Sequence, residues 1–153
     1  MGKKIQFKMG FSFIGLILFA LVMIPNIVWV FVPSSNDPLR IESTTPVIDI
    51  FQTIFQVLMI ASLILLINKK EKKLSIRTPF LIASIICLII YYINWVLYYS
   101  GTVNLTVLAL LTIPPCLSFT FLSIDRKNWF ACGLSIIFFM LHLTHFLLNH
   151  VVK

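Results

Sequence analysis

Apolar residues fall in five long runs, 9–32, 47–68, 80–100, 104–124 and 129–151, and nearly every charged side chain lies in the gaps between them. About 20 apolar residues, rising 1.5 Å each as a helix, cross the hydrocarbon core of a bilayer. Each run therefore predicts a transmembrane helix. The expected fold class is an all-α membrane protein, a bundle of five transmembrane helices forming a single domain over residues 1–153.

Within the runs, polar side chains recur at helical spacing. The second carries Asp49, Gln52 and Gln56, the third Tyr91, Asn94 and Tyr98, the fifth His142, His145 and Asn149, and the first Asn26 and Trp29. Residues three, four and seven apart share one helix face, and a polar face inside a membrane turns away from lipid. Asn26, Asn94 and His145 lie six residues, and Gln52 five, from the ends of their runs on one side of the membrane, roughly 8–9 Å at 1.5 Å per residue. They predict one polar layer.

Composition supports the membrane class. Hydrophobic residues make up 59% of the chain and charged ones 11%, against roughly 25% charged in soluble domains. The net charge of +7 does not describe a nucleic-acid face, because the basic residues cluster beside the spans. Ten of the twelve (Lys3, Lys4, Lys8, Lys69, Lys70, Lys72, Lys73, Arg77, Arg126 and Lys127) fall on one side, leaving Arg40 and Lys153 on the other. The positive-inside rule then predicts a cytoplasmic N terminus and an external C terminus. Partners on this basis are the lipid bilayer and anionic headgroups at the cytoplasmic face, with another membrane protein as a further class.

The first run follows three lysines, as a signal peptide would. It is too long for one, and no small-x-small site follows Phe31, so it is expected to remain a spanning helix. Pro114 and Pro115 predict a bend in the fourth helix, with Thr112 and Ser118 meeting freed carbonyls; a re-entrant segment is the alternative, at odds with the charge sorting. The loop before the second helix is turn-rich, with Thr44 or Thr45 as its cap and Pro46 in its first turn. Asn104-Leu105-Thr106 matches a glycosylation sequon but abuts the membrane. Trp29, Tyr92, Trp95, Tyr98 and Tyr99 sit where aromatic belts form. Cys87, Cys116 and Cys132 are odd in number and inside apolar runs, as small buried hydrophobes.

Three kinds of function are open. In the leading one the chain binds a small ligand, lipid headgroup or ion in an outward-facing polar cup lined by Asn26, Trp29, Gln52, Gln56, Asn94, His142 and His145. Amides would orient the ligand and histidines would make binding pH-dependent. In the second, the polar layer is interhelical glue in a non-catalytic subunit, accessory or immunity-type protein. The third is a small intramembrane enzyme, disfavoured because no Ser-His-Asp set, HExxH, phosphate loop or carboxylate pair occurs. No cofactor is expected. A metal on His142, His145 and Asp49 is the weakest ligand set, since two imidazoles are too few and Asp49 already suits a helix N-terminus. His150 is expected to be solvated.

Several short motifs carry a likeness. They are Ile24-Pro25-Asn26-Ile27-Val28-Trp29, Tyr91-Tyr92-Ile93-Asn94-Trp95, Ile113-Pro114-Pro115, and His142-Leu143-Thr144-His145 with His150. Together they resemble a group of small uncharacterised bacterial polytopic integral membrane proteins with a Pro-Asn-x-x-Trp motif in the first helix and a His-x-x-His motif in the last. The resemblance covers nearly the whole chain. It implies a bacterial cytoplasmic membrane and supplies no activity. Those proteins commonly carry an acid and a base where Gln52 and Thr53 stand here, a departure that counts against charge-dependent chemistry.

Overall fold

The computed structural model describes residues 7–34, 37–69 and 78–152. A short strand β1 (Phe7–Met9) leads into α1 (Phe13–Phe31), followed by a 3-10 turn (Pro38–Arg40), α2 (Pro46–Leu65) and β2 (Leu66–Asn68). Then come α3 (Pro79–Tyr99), α4 (Leu105–Asp125), α5 (Trp129–Phe146) and a π-helical turn (Leu147–Val151). Among the described residues, five helical segments are long and apolar enough to cross a membrane. The protein is a multi-pass integral membrane protein whose exposed apolar faces meet lipid. Lys3, Lys4, Lys70, Lys72, Lys73, Arg77 and Lys153 lie outside the described residues.

Helix starts follow local chemistry. Ser12, Asn104 and Asn128 cap α1, α4 and α5 by accepting from Gly15, Val107 and Ala131 N–H, which satisfies donors that a helix start leaves unmet. Asn104, read in the sequence as part of a sequon, is thus a cap. Pro46 and Pro79 open α2 and α3, where a missing N–H costs nothing. Thr45 stands at the N-cap of α2 without capping it; its hydroxyl turns to Asp49 and His145 instead.

Two spans are shorter than their apolar runs. Helix α1 begins at Phe13 rather than at 9, and α2 ends at Leu65 rather than 68, because Phe7–Met9 and Leu66–Asn68 pair as an antiparallel ribbon. Backbone bonds from Gly10 to Leu65 and from Ser12 to Ile64 extend the join. At Gly15 an added Cβ would stand 2.8 Å from the Leu63 carbonyl oxygen, so glycine lets α1 and α2 touch backbone to backbone. In α5 the regular helix stops at Phe146 and widens into the π turn.

Helix α4 is the centre of the bundle, burying most of its length while the other four face mainly lipid. It packs on α3 and α5, α5 packs on α2, and α1 rests more lightly on α2, α3 and α4. The α3–α4 seam holds a buried serine pair, with Ser84 Oγ 2.8 Å from Ser118 Oγ. Helix α4 is continuous through Pro114 and Pro115, so the re-entrant alternative falls. Thr112 and Ser118 bond to Leu108 and Ser84, not to carbonyls freed by those prolines.

Pro25 shows how a freed carbonyl is met. Lacking an N–H, it leaves the Leu21 carbonyl four residues earlier without its helical donor, and the Tyr92 hydroxyl donates to that oxygen at 2.7 Å. Tyr91 and Tyr99 donate to Val22 O and Val32 O. Three tyrosines of α3 thus hold α1 by its backbone. Trp95 and Tyr98 are buried and pack edge-on, so they belong to the core and not to an interfacial belt.

Lys8, Lys69, Arg126 and Lys127 gather at the ribbon end, where Asn68 Nδ2 donates to Lys127 O. Asn128, nearly fully buried, ties that end together by donating to Ser62 O and Leu66 O. Arg40 lies at the other end with Asp37.

Candidate functional site

All five helices meet at a cavity of about 210 Å³. Its polar lining is Asn26 of α1, Gln52 and Gln56 of α2, Tyr91 of α3 and His142 of α5. Val22, Met23, Leu111, Pro115, Cys116, Phe119 and Phe138 supply the apolar wall. On α2 the glutamines are four apart and turn to the same side. Every polar lining group named here is formally neutral apart from the titratable imidazole, so the wall offers hydrogen-bonding groups.

Its polar groups divide by whether they find partners within the protein. Asn26 Nδ2 donates to Val22 O at 2.8 Å and to Tyr91 Oη at 2.7 Å, and Tyr91 donates to Val22 O at 3.1 Å. That trio is internally matched. Gln52 Oε1 and His142 Nδ1 are buried with no hydrogen-bond partner among the described residues. Native interiors leave few polar atoms in that state. His142 stands near-parallel to Phe138, with centroids 5.4 Å apart, so its ring plane is held beside the void that it helps to line.

The other three residues of the expected cup go elsewhere. Asn94 is buried, but its amide folds back onto the Ile90 carbonyl of its own helix at 2.8 Å. Trp29 Nε1 donates to Asp37, 2.9 Å from Oδ2. His145 Nδ1 lies 2.6 Å from Asp49 Oδ1 and 3.0 Å from Thr45 Oγ1. Asn149 joins this group, donating to Thr45 Oγ1 and accepting from the Thr44 N–H and hydroxyl. The cluster straps the start of α2 to the end of α5. Although the His142 and His145 rings are parallel within 7°, their centroids are 6.4 Å apart and they serve different voids. His145 lines a smaller one of about 60 Å³ beneath the Pro38–Arg40 turn. The predicted single layer is therefore two sites at neighbouring depths.

No group of three or more His, Cys, Asp or Glu among the described residues is arranged to hold a metal ion. His142, His145 and Asp49 do not converge, because Asp49 engages His145 while His142 looks into the larger cavity. The three cysteines are free thiols. Cys116 is buried against the cavity wall. His150 is half-buried beside the Phe146 ring rather than solvated.

Asp37 forms a third polar centre that sequence spacing did not flag. It accepts from Trp29, Tyr98 and Arg40, and the Arg40 guanidinium lies 4.9 Å over the Trp29 ring. Arg40 also donates to Trp29 O and Val30 O, meeting carbonyls left open at the C-terminus of α1 and opposing its dipole. Burial pushes the Asp37 carboxyl up, but the hydrogen bonds from Tyr98, Trp29 and Arg40 and the guanidinium charge outweigh it and hold it below its ordinary 3.8. Since its bonds are complete, Asp37 anchors the loop.

No protein-family model matches this chain, and no curated protein or solved structure matches it.

Proposed function

We propose that this protein binds a small polar ligand in its central cavity, within the cytoplasmic membrane of a bacterium. One observation carries the reading: Gln52 and His142, from two different helices, both line one void, and each carries a buried polar atom, Oε1 and Nδ1, without a partner among the described residues. An unmet buried polar atom costs about 1–3 kcal/mol. A ligand that meets both atoms recovers that energy, whereas a folding role gives them nothing to hold.

The alternative, a subunit, accessory or immunity-type protein with a purely structural polar layer, draws support from Asn94, Asn26 and His145, whose side-chain nitrogens bond within the protein. It leaves Gln52 and His142 without a purpose.

In the binding reading the lysine-rich ribbon end faces the cytoplasm and its anionic headgroups, following the positive-inside rule, and the cavity lies in the outer half of the bilayer. Kinship with the small bacterial membrane proteins that share the Pro25-Asn26 and His142-x-x-His145 motifs is part of the same reading.

The test is a high-resolution density map of protein purified from its host membrane into lipid nanodiscs. The expected result is non-protein density within hydrogen-bond reach of both Gln52 and His142. A cavity closed by these two side chains bonding to each other or to neighbours would overturn the proposal.

A further inference from the structure

We infer that the ligand of the central cavity is an uncharged, hydroxyl-bearing group, a small polyol or the glycerol- or sugar-type head of a neutral lipid; this rests on the binding reading above.

Three observations lead there. The first is charge. Among the described residues no carboxylate, ammonium or guanidinium lines the void, and the nearby carboxylate of Asp49 is engaged by His145 and Thr45. Bringing an ion into such a place costs several kcal/mol without a counter-charge.

The second is the balance of donors and acceptors. Gln52 Oε1 can only accept and has no donor among the described residues, so a ligand that reaches it must donate there. At His142 Nδ1 the tautomer decides between donor and acceptor, so the ligand must be able to match either. The Tyr91 proton and the Asn26 amide protons are already committed inside the protein. A hydroxyl both donates and accepts. A carboxylate cannot donate, and an alkylammonium cannot accept.

The third is size and wall chemistry. A volume of 210 Å³ equals about seven waters at ~30 Å³ each, room for a headgroup-sized polyol. Met23, Phe119 and Phe138 offer apolar surface to its C–H faces.

The experiment uses the full chain in phosphatidylcholine nanodiscs and ligand-observed NMR with three probes of similar size: glycerol, propionate and n-propylammonium. Glycerol is expected to bind saturably, and the two ions are not. Gln52→Leu should weaken glycerol at least tenfold, with Gln52→Met as a second variant should the first fold poorly. Monoacylglycerol doped into the nanodiscs identifies the source. Competition at least tenfold stronger than free glycerol points to a lipid headgroup, equal competition points to a soluble polyol, and both uphold the inference. If an ion binds as well as glycerol and Gln52→Leu abolishes it, the hydroxyl class is wrong while the binding site stands. If no probe binds, or if glycerol binds Gln52→Leu and wild type alike, the inference and the binding reading fail together.

Discussion

Asn26 places both of its amide contacts inside the protein, on Val22 O and the Tyr91 hydroxyl, whereas Gln52, a residue of the same chemistry on the same cavity, keeps its carbonyl unmet. The two should respond oppositely to substitution. Tyr91→Phe removes one partner from Asn26 and one from Val22 O, and is expected to lower stability by about 1 kcal/mol, the usual worth of an interhelical hydrogen bond; a thermal melt in detergent no lower than wild type would contradict this. Asp37 offers a pH test. Its folded pKa lies below its ordinary 3.8, so its contribution to stability is in place at neutral pH and down to about pH 4, then is lost as pH falls through the folded value. The gap in unfolding midpoint between wild type and Asp37→Asn should stay constant from pH 7 to about 4 and shrink below; shrinkage beginning above pH 5 would argue against the depressed carboxyl. Spacing in the sequence brought Gln52, Gln56 and His142 to one void. It could not separate them from Asn94 and His145, since periodicity sets the helix face while rotamers and local partners, Ile90 O and Asp49, decide where a head group ends.

At the scale of elements, five helices were legible from hydropathy because lipid crossing demands continuous apolar length. The ribbon of β1 and β2 was not, since Leu66-Ile67-Asn68 continues the apolar run of α2 and its pairing depends on residues nearly sixty positions earlier. Gly15 is the contact that sets how α1 meets α2. Gly15→Ala would place a methyl 2.8 Å from a backbone oxygen, where no side-chain motion relieves it, and is expected to cost about 1–3 kcal/mol as an overpacked seam. Unfolding free energy equal to wild type would show that the helices separate freely. Tyr92→Phe tests the proline repair: it strips the Leu21 carbonyl, left open by Pro25, of its donor, with an expected loss of about 1–3 kcal/mol. Introducing Pro25→Ala alongside restores a helical donor to that carbonyl and should reduce the loss, as read by the same melts; an equal loss in both backgrounds would refute the pairing.

For the whole molecule, the sorting of Lys8, Lys69, Arg126 and Lys127 to one end was readable from the chain, because topology is written in loop charges. The packing order was not. That α4 is central while α1 lies lightly on the bundle depends on which faces meet, and the five apolar runs look alike. Light packing of α1 beside the tighter α3–α4–α5–α2 row accompanies the void where all five helices meet, and it is there that stability and function part. The most direct measurement is the thermal unfolding of the double variant Gln52→Met/His142→Leu in ligand-free nanodiscs against wild type. With two unmet buried atoms replaced by apolar groups, the midpoint should hold or rise, while glycerol no longer shifts it. A fall of about 2 kcal/mol or more would mean that these side chains hold the helices together, and that the cavity is a by-product of packing instead of a binding site.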